Sequence, residues 1–175
     1  AKAGESIWQV AKRMGETIPH LCYKPEPGYR ADGNCRVCMV EIEGERVLAP
    51  SCLRSPTEGM VVSSATSDRA QVSRKMVLEL LATDQPEREE SPDKSSHFWA
   101  MADLLAVDAT EARFDETIKP CADNSSKAMR VNLQSCINCN LCVVACREVQ
   151  VNDVIGMANR GSDSKVVFDF DDPMG

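Results

Sequence analysis

"GNCRVCMVEIEGERVLAPSC", residues 33–52, sets a close cysteine pair, Cys35 and Cys38, in front of a short alternating apolar run and ends on a third cysteine, Cys52. Met39, Val40 and Ile42, then Val47 and Leu48, read as two short strands around the turn "EGER", with Gly44 in the bend. The stretch "MVVSS", residues 60–64, reads as a further strand after a turn at 56–59. On the other side, "GESIWQVAKRMG", residues 4–15, carries Ile7, Val10, Ala11 and Met14 at helical spacing, with Gly15 as the stop. Helix and strands together predict a small α+β module over residues 1–66.

Cys22 precedes the pair, giving the spacing C-x12-C-x2-C-x13-C. Four thiolates can hold a zinc ion or an iron–sulfur cluster. Zinc sites usually draw on two close pairs, whereas here one close pair is flanked by single cysteines on each side. That arrangement suits a [2Fe-2S] centre, wrapped by one long loop and closed by a ligand from a later strand. The loop "KPEPGYRADGNCRVC", residues 24–38, has Gly28 and Gly33 where the backbone must curve, so that successive N–H groups can face sulfur. Arg30 and Arg36 are expected to favour thiolate and a more anionic bound centre. His20 reads as a loop residue beside a site already completed by four thiols.

A second run lies far along the chain. "SCINCNLCVVACREVQ", residues 135–150, spaces Cys136, Cys139, Cys142 and Cys146 as C-x2-C-x2-C-x3-C. This is the bacterial ferredoxin run for [4Fe-4S] clusters. Cys136, Cys139 and Cys142 grip three irons of one cubane from a tight loop. Cys146, on a helix, serves a second [4Fe-4S] cluster. The run lacks a companion before Gly175, so a second run and a longer natural chain are expected; Ala1, which is not methionine, points the same way. Cys121 reads as a spare thiol.

Between the two cysteine regions, residues 67–120 have no cysteine and read as a helical connector. "SDRAQVSRKMVLELLATD", residues 67–84, predicts a helix capped by Asp68, with Val72, Met76, Val77, Leu80 and Leu81 on its apolar face. "TDQPEREESPDKSS" reads as an exposed loop, and "SHFWAMADLLAV", residues 96–107, as a shorter helix capped by Ser95 or Ser96. Residues 121–175 read as the first part of a [4Fe-4S] ferredoxin-like domain.

The charge is −7, with 20 basic and 27 acidic residues and no basic block, so nucleic acid and anionic membrane surfaces are poor partners. No apolar run approaches the ~20 residues of a membrane span. Nine cysteines, an odd number with seven of them in two tight clusters or their flanks, disfavour a secreted disulfide scaffold and point to a reducing, cytoplasmic setting. A zinc-stabilised interaction module is the competing reading from another functional class.

"IPHLC", residues 18–22, followed by "GNCRVCMVEIEGERVLAPSC" resembles the [2Fe-2S] ferredoxin module at the front of large redox subunits: the cluster-rich subunit of respiratory NADH–quinone oxidoreductase, iron-only hydrogenases and NAD-dependent formate dehydrogenases. The resemblance implies a β-grasp fold, a mixed sheet packed on a helix, whose usual first hairpin is missing here. "AMRVNLQSCINCNLCVVACREVQVNDVIGMANRG", residues 128–161, with "VVFDFDDPMG", residues 166–175, resembles the alpha subunit of NAD-dependent formate dehydrogenase. That likeness implies oxidation of formate to carbon dioxide at a molybdenum or tungsten pterin housed in a later domain. Electrons would pass through iron–sulfur clusters to a flavin-bearing, NAD-binding partner subunit. The same relay in an NAD-linked hydrogenase diaphorase or a respiratory subunit is the alternative. Respiratory relatives carry a His-x3-Cys-x2-Cys-x5-Cys site after the long helix. The segment here, "LLATDQPEREESPDKSSHFW", has no cysteine, and His97 reads as a helix-start residue.

Overall fold

A computed structural model describes residues 1–108, 122–128, 130–168 and 172. Cys121, the end of the expected connector, and most of "VVFDFDDPMG" lie outside the described residues.

The first helix, α1 (Ile7–Arg13), starts at a capping box. The Ser6 hydroxyl accepts from the N–H of Gln9, and the Gln9 side chain accepts from the N–H of Ser6. Its inward residues are Ile7 and Trp8, while Met14 is exposed and falls outside the expected apolar face. Trp8 fills the core and satisfies its indole N–H on the carbonyl of Ile18 at 3.0 Å. Gly15 adopts φ +86°, as the expected stop requires.

Three short strands follow: β1 (Met39–Ile42), β2 (Ala49–Pro50) and β3 (Val62–Ser63), in the order β2-β1-β3. Val40 faces Ala49, and Ile42 faces Val62. Both pairings are antiparallel, so the mixed sheet implied by resemblance is not seen among the described residues. The second strand begins two residues later than expected; Val47 is exposed in the turn.

The long helix α2 (Asp68–Thr83) forms where expected but shows a different face. Ala70, Arg74, Leu78 and Ala82 are buried, whereas Val72, Met76 and Leu80 are exposed. Ala82 packs with Phe98, Trp99 and Ala102 of the next helix. Arg74, though charged, finds acceptors inside: its Nε donates to the Met39 carbonyl at 2.8 Å and its Nη2 to the Ser64 hydroxyl at 2.9 Å. The cap is Ser67, not Asp68. Its hydroxyl accepts from the N–H of Ala70 and donates to Glu41 on β1 at 2.6 Å. The next helix, α3 (His97–Leu104), begins at Ser96 as expected and buries Phe98, Trp99 and Ala102.

The second cysteine run leads into α4 (Leu141–Val144), which widens into one π-helical turn over Ala145–Val149. A hairpin of β4 (Ile155–Ala158) and β5 (Lys165–Phe168) follows, with Gly156 opposite Val167. No helix among the described residues is long and apolar enough to cross a membrane.

Two buried clusters organise these elements. One joins α1 to the sheet through Ile7, Trp8, Val40 and Ile42, and includes Cys38 and Cys52. The other joins α2 and α3 through Leu78, Phe98 and Trp99, and includes Cys22 and Cys35. Ile137 and Cys139 from the second cysteine loop pack against that second cluster.

Candidate metal centres

The four cysteines of the first set are all buried, between 1% and 8% exposed. They meet as two pairs at the seam of the two cores. In one pair the N–H of Cys22 points at the sulfur of Cys35 (3.4 Å), and the N–H of Cys35 points back at the sulfur of Cys22 (3.3 Å). In the other, the sulfurs of Cys38 and Cys52 are 3.4 Å apart, in hydrogen-bond contact. All eight described cysteines are free thiols.

Local chemistry places each sulfur. Cys52 is held by the start of α1: the unsatisfied N–H groups of Ile7 and Trp8 donate to the carbonyls of Arg54 and Ser51 on either side of it. Ser51, fully buried, donates both its N–H (3.1 Å) and its hydroxyl (2.8 Å) to the carbonyl of Cys38, which fixes Cys52 against Cys38. Between Cys35 and Cys38 the chain turns through Arg36 at φ 57°. Gly33 sits at φ +66°, strained for any other residue, and a Cβ there would lie 2.4 Å from a Leu53 methyl, which would have to shift.

The electrostatics follow from this crowding. Side-chain hydrogen bonding within each pair raises Cys22 and Cys52 and lowers Cys35 and Cys38 from the ordinary thiol value, while burial raises all four. Main-chain N–H groups of Cys22, Val37 and Leu21 further favour the charged form of Cys35. Arg30 and Arg36, expected to help, are exposed. Arg30 is engaged by Asp32 (2.9 Å) and Glu148 (3.6 Å).

This donor set fits a two-iron centre. Among the described residues no three His, Cys, Asp or Glu side chains converge on one metal-ion position. A zinc tetrahedron needs four donors on one ion. A [2Fe-2S] centre needs two thiolates on each of two irons, and two thiol pairs are what the loop presents.

The second set is more open. Cys136 and Cys139 are half-buried, Cys142 is exposed and Cys146 is buried. The loop bends through Asn138 (φ 51°) and Asn140 (φ 68°), a left-handed conformation that asparagine tolerates better than most residues. The N–H of Asn138 faces the sulfur of Cys136 at 3.4 Å, and the N–H of Val154 faces that of Cys146 at 3.3 Å. Burial pushes the Cys139 thiol up, and the neighbouring Cys142 and Cys136 sulfurs add to it. Cys136, Cys139 and Cys142 thus present three thiols from one loop. Cys146 sits past the loop in the π-turn.

The sequence did not reveal how the two loops are tied. The Asn140 amide donates to the Asp32 carboxylate at 2.7 Å, and Glu148 reaches Arg30. Both asparagines stand next to cysteines, a signal readable as turn formers but not as cross-links. In the connector, His97 begins α3, as expected, and its ring lies 4.9 Å from that of His20. A cavity of about 330 Å³ lies between this connector and the second loop, bordered by Leu21, Phe98, Ile137 and Cys139.

Residues 1–67 match the 2Fe-2S iron-sulfur cluster binding domain family. Over a longer stretch, the chain is 34% identical across 163 residues to the NADP-reducing hydrogenase subunit HndD of Solidesulfovibrio fructosivorans, covering 90% of this chain and 28% of that protein. It is 30% identical across 168 residues to the mitochondrial NADH-ubiquinone oxidoreductase 78 kDa subunit of Candida albicans, covering 94% of this chain and 23% of that one. The chain therefore spans about a quarter of these relatives' length. A solved structure of an NAD+-reducing [NiFe]-hydrogenase in its H2-reduced state superposes with a TM-score of 0.84 at 27% identity, over 96% of this chain and 70% of that one.

Proposed function

We propose that this chain is an electron-relay segment of an NAD-linked oxidoreductase. Cys22 and Cys35 bind one iron and Cys38 and Cys52 the other iron of a [2Fe-2S] cluster. Cys136, Cys139 and Cys142 bind three irons of a [4Fe-4S] cluster, and Cys146 a neighbouring [4Fe-4S] cluster. Three units divide the work: a β-grasp ferredoxin module (1–66), a ligand-free helical connector (67–120) and part of a [4Fe-4S] ferredoxin-like domain (121–175).

The observation that carries this reading is that cysteines of both sets pack on the same core. Cys22 and Cys35 share a buried cluster with Leu78, Phe98 and Trp99, and Cys139 packs against it, which supports two centres lying side by side in an apolar medium. The clusters supply one-electron carriers; the protein's residues ligate, desolvate and direct N–H groups at sulfur, and these set the potential. Loading requires thiolates, so the thiol protons of Cys22, Cys35, Cys38 and Cys52 leave as the irons bind.

More finely, we place the chain in the alpha subunit of an NAD-dependent formate dehydrogenase. The resemblance over 128–161 supports this reading; the cysteine-free connector counts against the respiratory subunit and against formate dehydrogenases that retain a cluster site there. Formate would be oxidised at a molybdenum or tungsten pterin outside residues 1–175, and a flavin- and NAD-binding partner subunit would take the electrons. The hydrogenase and NADH–quinone oxidoreductase relatives favour the same relay in one of those complexes. The test is anaerobic purification of the natural complex, iron and sulfide analysis, and electron paramagnetic resonance after adding formate, hydrogen or NADH. Reduction of the two-iron signal by formate is expected. Reduction by hydrogen and not formate moves the chain to the hydrogenases, and colourless protein with zinc ends the relay reading.

A further inference from the structure

The connector places a charge where the two-iron centre needs one. Arg74 is 2% exposed, on the inward face of α2 behind β1. Its acceptors are all neutral: the carbonyl of Met39, which directly follows Cys38, and the carbonyl and hydroxyl of Ser64. Among the described residues it makes no salt bridge. A buried guanidinium without a counter-ion is costly, and burial accordingly lowers its proton affinity, with the Cys38 sulfur acting against that. Four thiolates and two sulfides outweigh the charge of two ferric ions, so a bound centre here is anionic. The exposed Arg30 does not fill this role, since two carboxylates already engage it.

We propose that Arg74 is the fixed buried counter-charge of the two-iron centre and holds its reduction potential up. The proposal rests on the two-iron reading of Cys22, Cys35, Cys38 and Cys52. Reduction adds one electron and makes or breaks no bond, so the centre becomes more negative by one charge. A nearby cation stabilises that state more than the oxidised one. Because Arg74 is shielded from solvent, added salt screens the effect little. Arg74 is a positioning residue for the electron, not a ligand.

The experiment is a potentiometric titration of the complete complex, followed by electron paramagnetic resonance, in wild type, R74M, R74K and S64D. Wild type must first show iron and the two-iron signal; if it does not, the ligand reading fails, not this one. R74M is expected to keep the line shape while its midpoint falls by about 59 mV or more, the one-electron equivalent of a tenfold change in the reduced fraction. R74K recovers most of that fall. S64D leaves the guanidinium in place but sets a carboxylate against it, and lowers the midpoint too. An iron-loaded R74M at the wild-type midpoint overturns the proposal. Should R74M not take up iron, an unchanged midpoint in S64D overturns it instead.

Discussion

The two cysteine sets solve the same problem of holding thiols in place by opposite means. In the first, each sulfur is enclosed by residues far apart in sequence: Cys52 hangs from the start of α1, Cys38 from Ser51, and Cys22 and Cys35 from each other's N–H groups. In the second, three sulfurs sit on seven consecutive residues whose shape comes from two left-handed asparagines, and Cys142 is exposed. One is a cage made by tertiary structure and the other a loop made by local conformation. The cage is therefore sensitive to core packing, and the loop to ligation itself.

The largest effect that sharpens this contrast is removal of a single ligand from each set. C22S is expected to abolish the two-iron signal and, because Cys22 and Leu21 belong to the core on which Ile137 and Cys139 rest, to weaken the four-iron signal as well. C142S is expected to abolish the signal of its own four-iron cluster and leave the two-iron spectrum unchanged. Iron content and paramagnetic resonance of anaerobically purified complex read both. Loss of the two-iron signal in C142S would show that the loop also supports the cage, and the contrast would fail.

How much of this was legible beforehand divides along the same line. The cysteines of both sets stood out as spacing, because donors to one centre must recur at short intervals in the chain. The helix over 67–84 was legible from its length and apolar content, but its face was not. Val72, Met76 and Leu80 form a stripe as regular as Arg74, Leu78 and Ala82, and only the acceptors at Met39 and Ser64 turn the arginine inward. Those acceptors lie 10 and 35 residues away, just past β3 and on β1, which no periodicity reports. The cap failed by one residue for a similar reason: Ser67 beats Asp68 because its hydroxyl also reaches Glu41. The Asn140–Asp32 tie spans 108 residues and lies beyond local reading altogether.

A smaller effect separates cage from loop by packing alone. Leu78 is fully buried at the centre of the second core, next to Cys22 and Cys35. L78A is expected to cost about 2–5 kcal/mol, whereas V72A, on the exposed stripe of the same helix, stays within ~0.5 kcal/mol. In chemical denaturation of the loaded complex, L78A should release the two-iron cluster at lower denaturant than wild type, and V72A at the same concentration. Equal behaviour of the two variants would restore the face of α2 expected from its sequence and remove the core that joins the two sets.

The smallest effect probes the seam between them. N140G keeps a residue suited to φ 68° but deletes the amide that donates to Asp32 at 2.7 Å. Because the acceptor is a carboxylate that keeps its contact with Arg30, the loss is expected to be about 1 kcal/mol, felt by the loop more than the cage. Chelator-driven iron loss tests this: the four-iron cluster should bleach about fivefold faster in N140G, at ~1 kcal/mol, while the two-iron cluster keeps its wild-type rate. Matching acceleration of both clusters would mean that the second loop shields the first set from solvent, so that the cage depends on the loop for its enclosure.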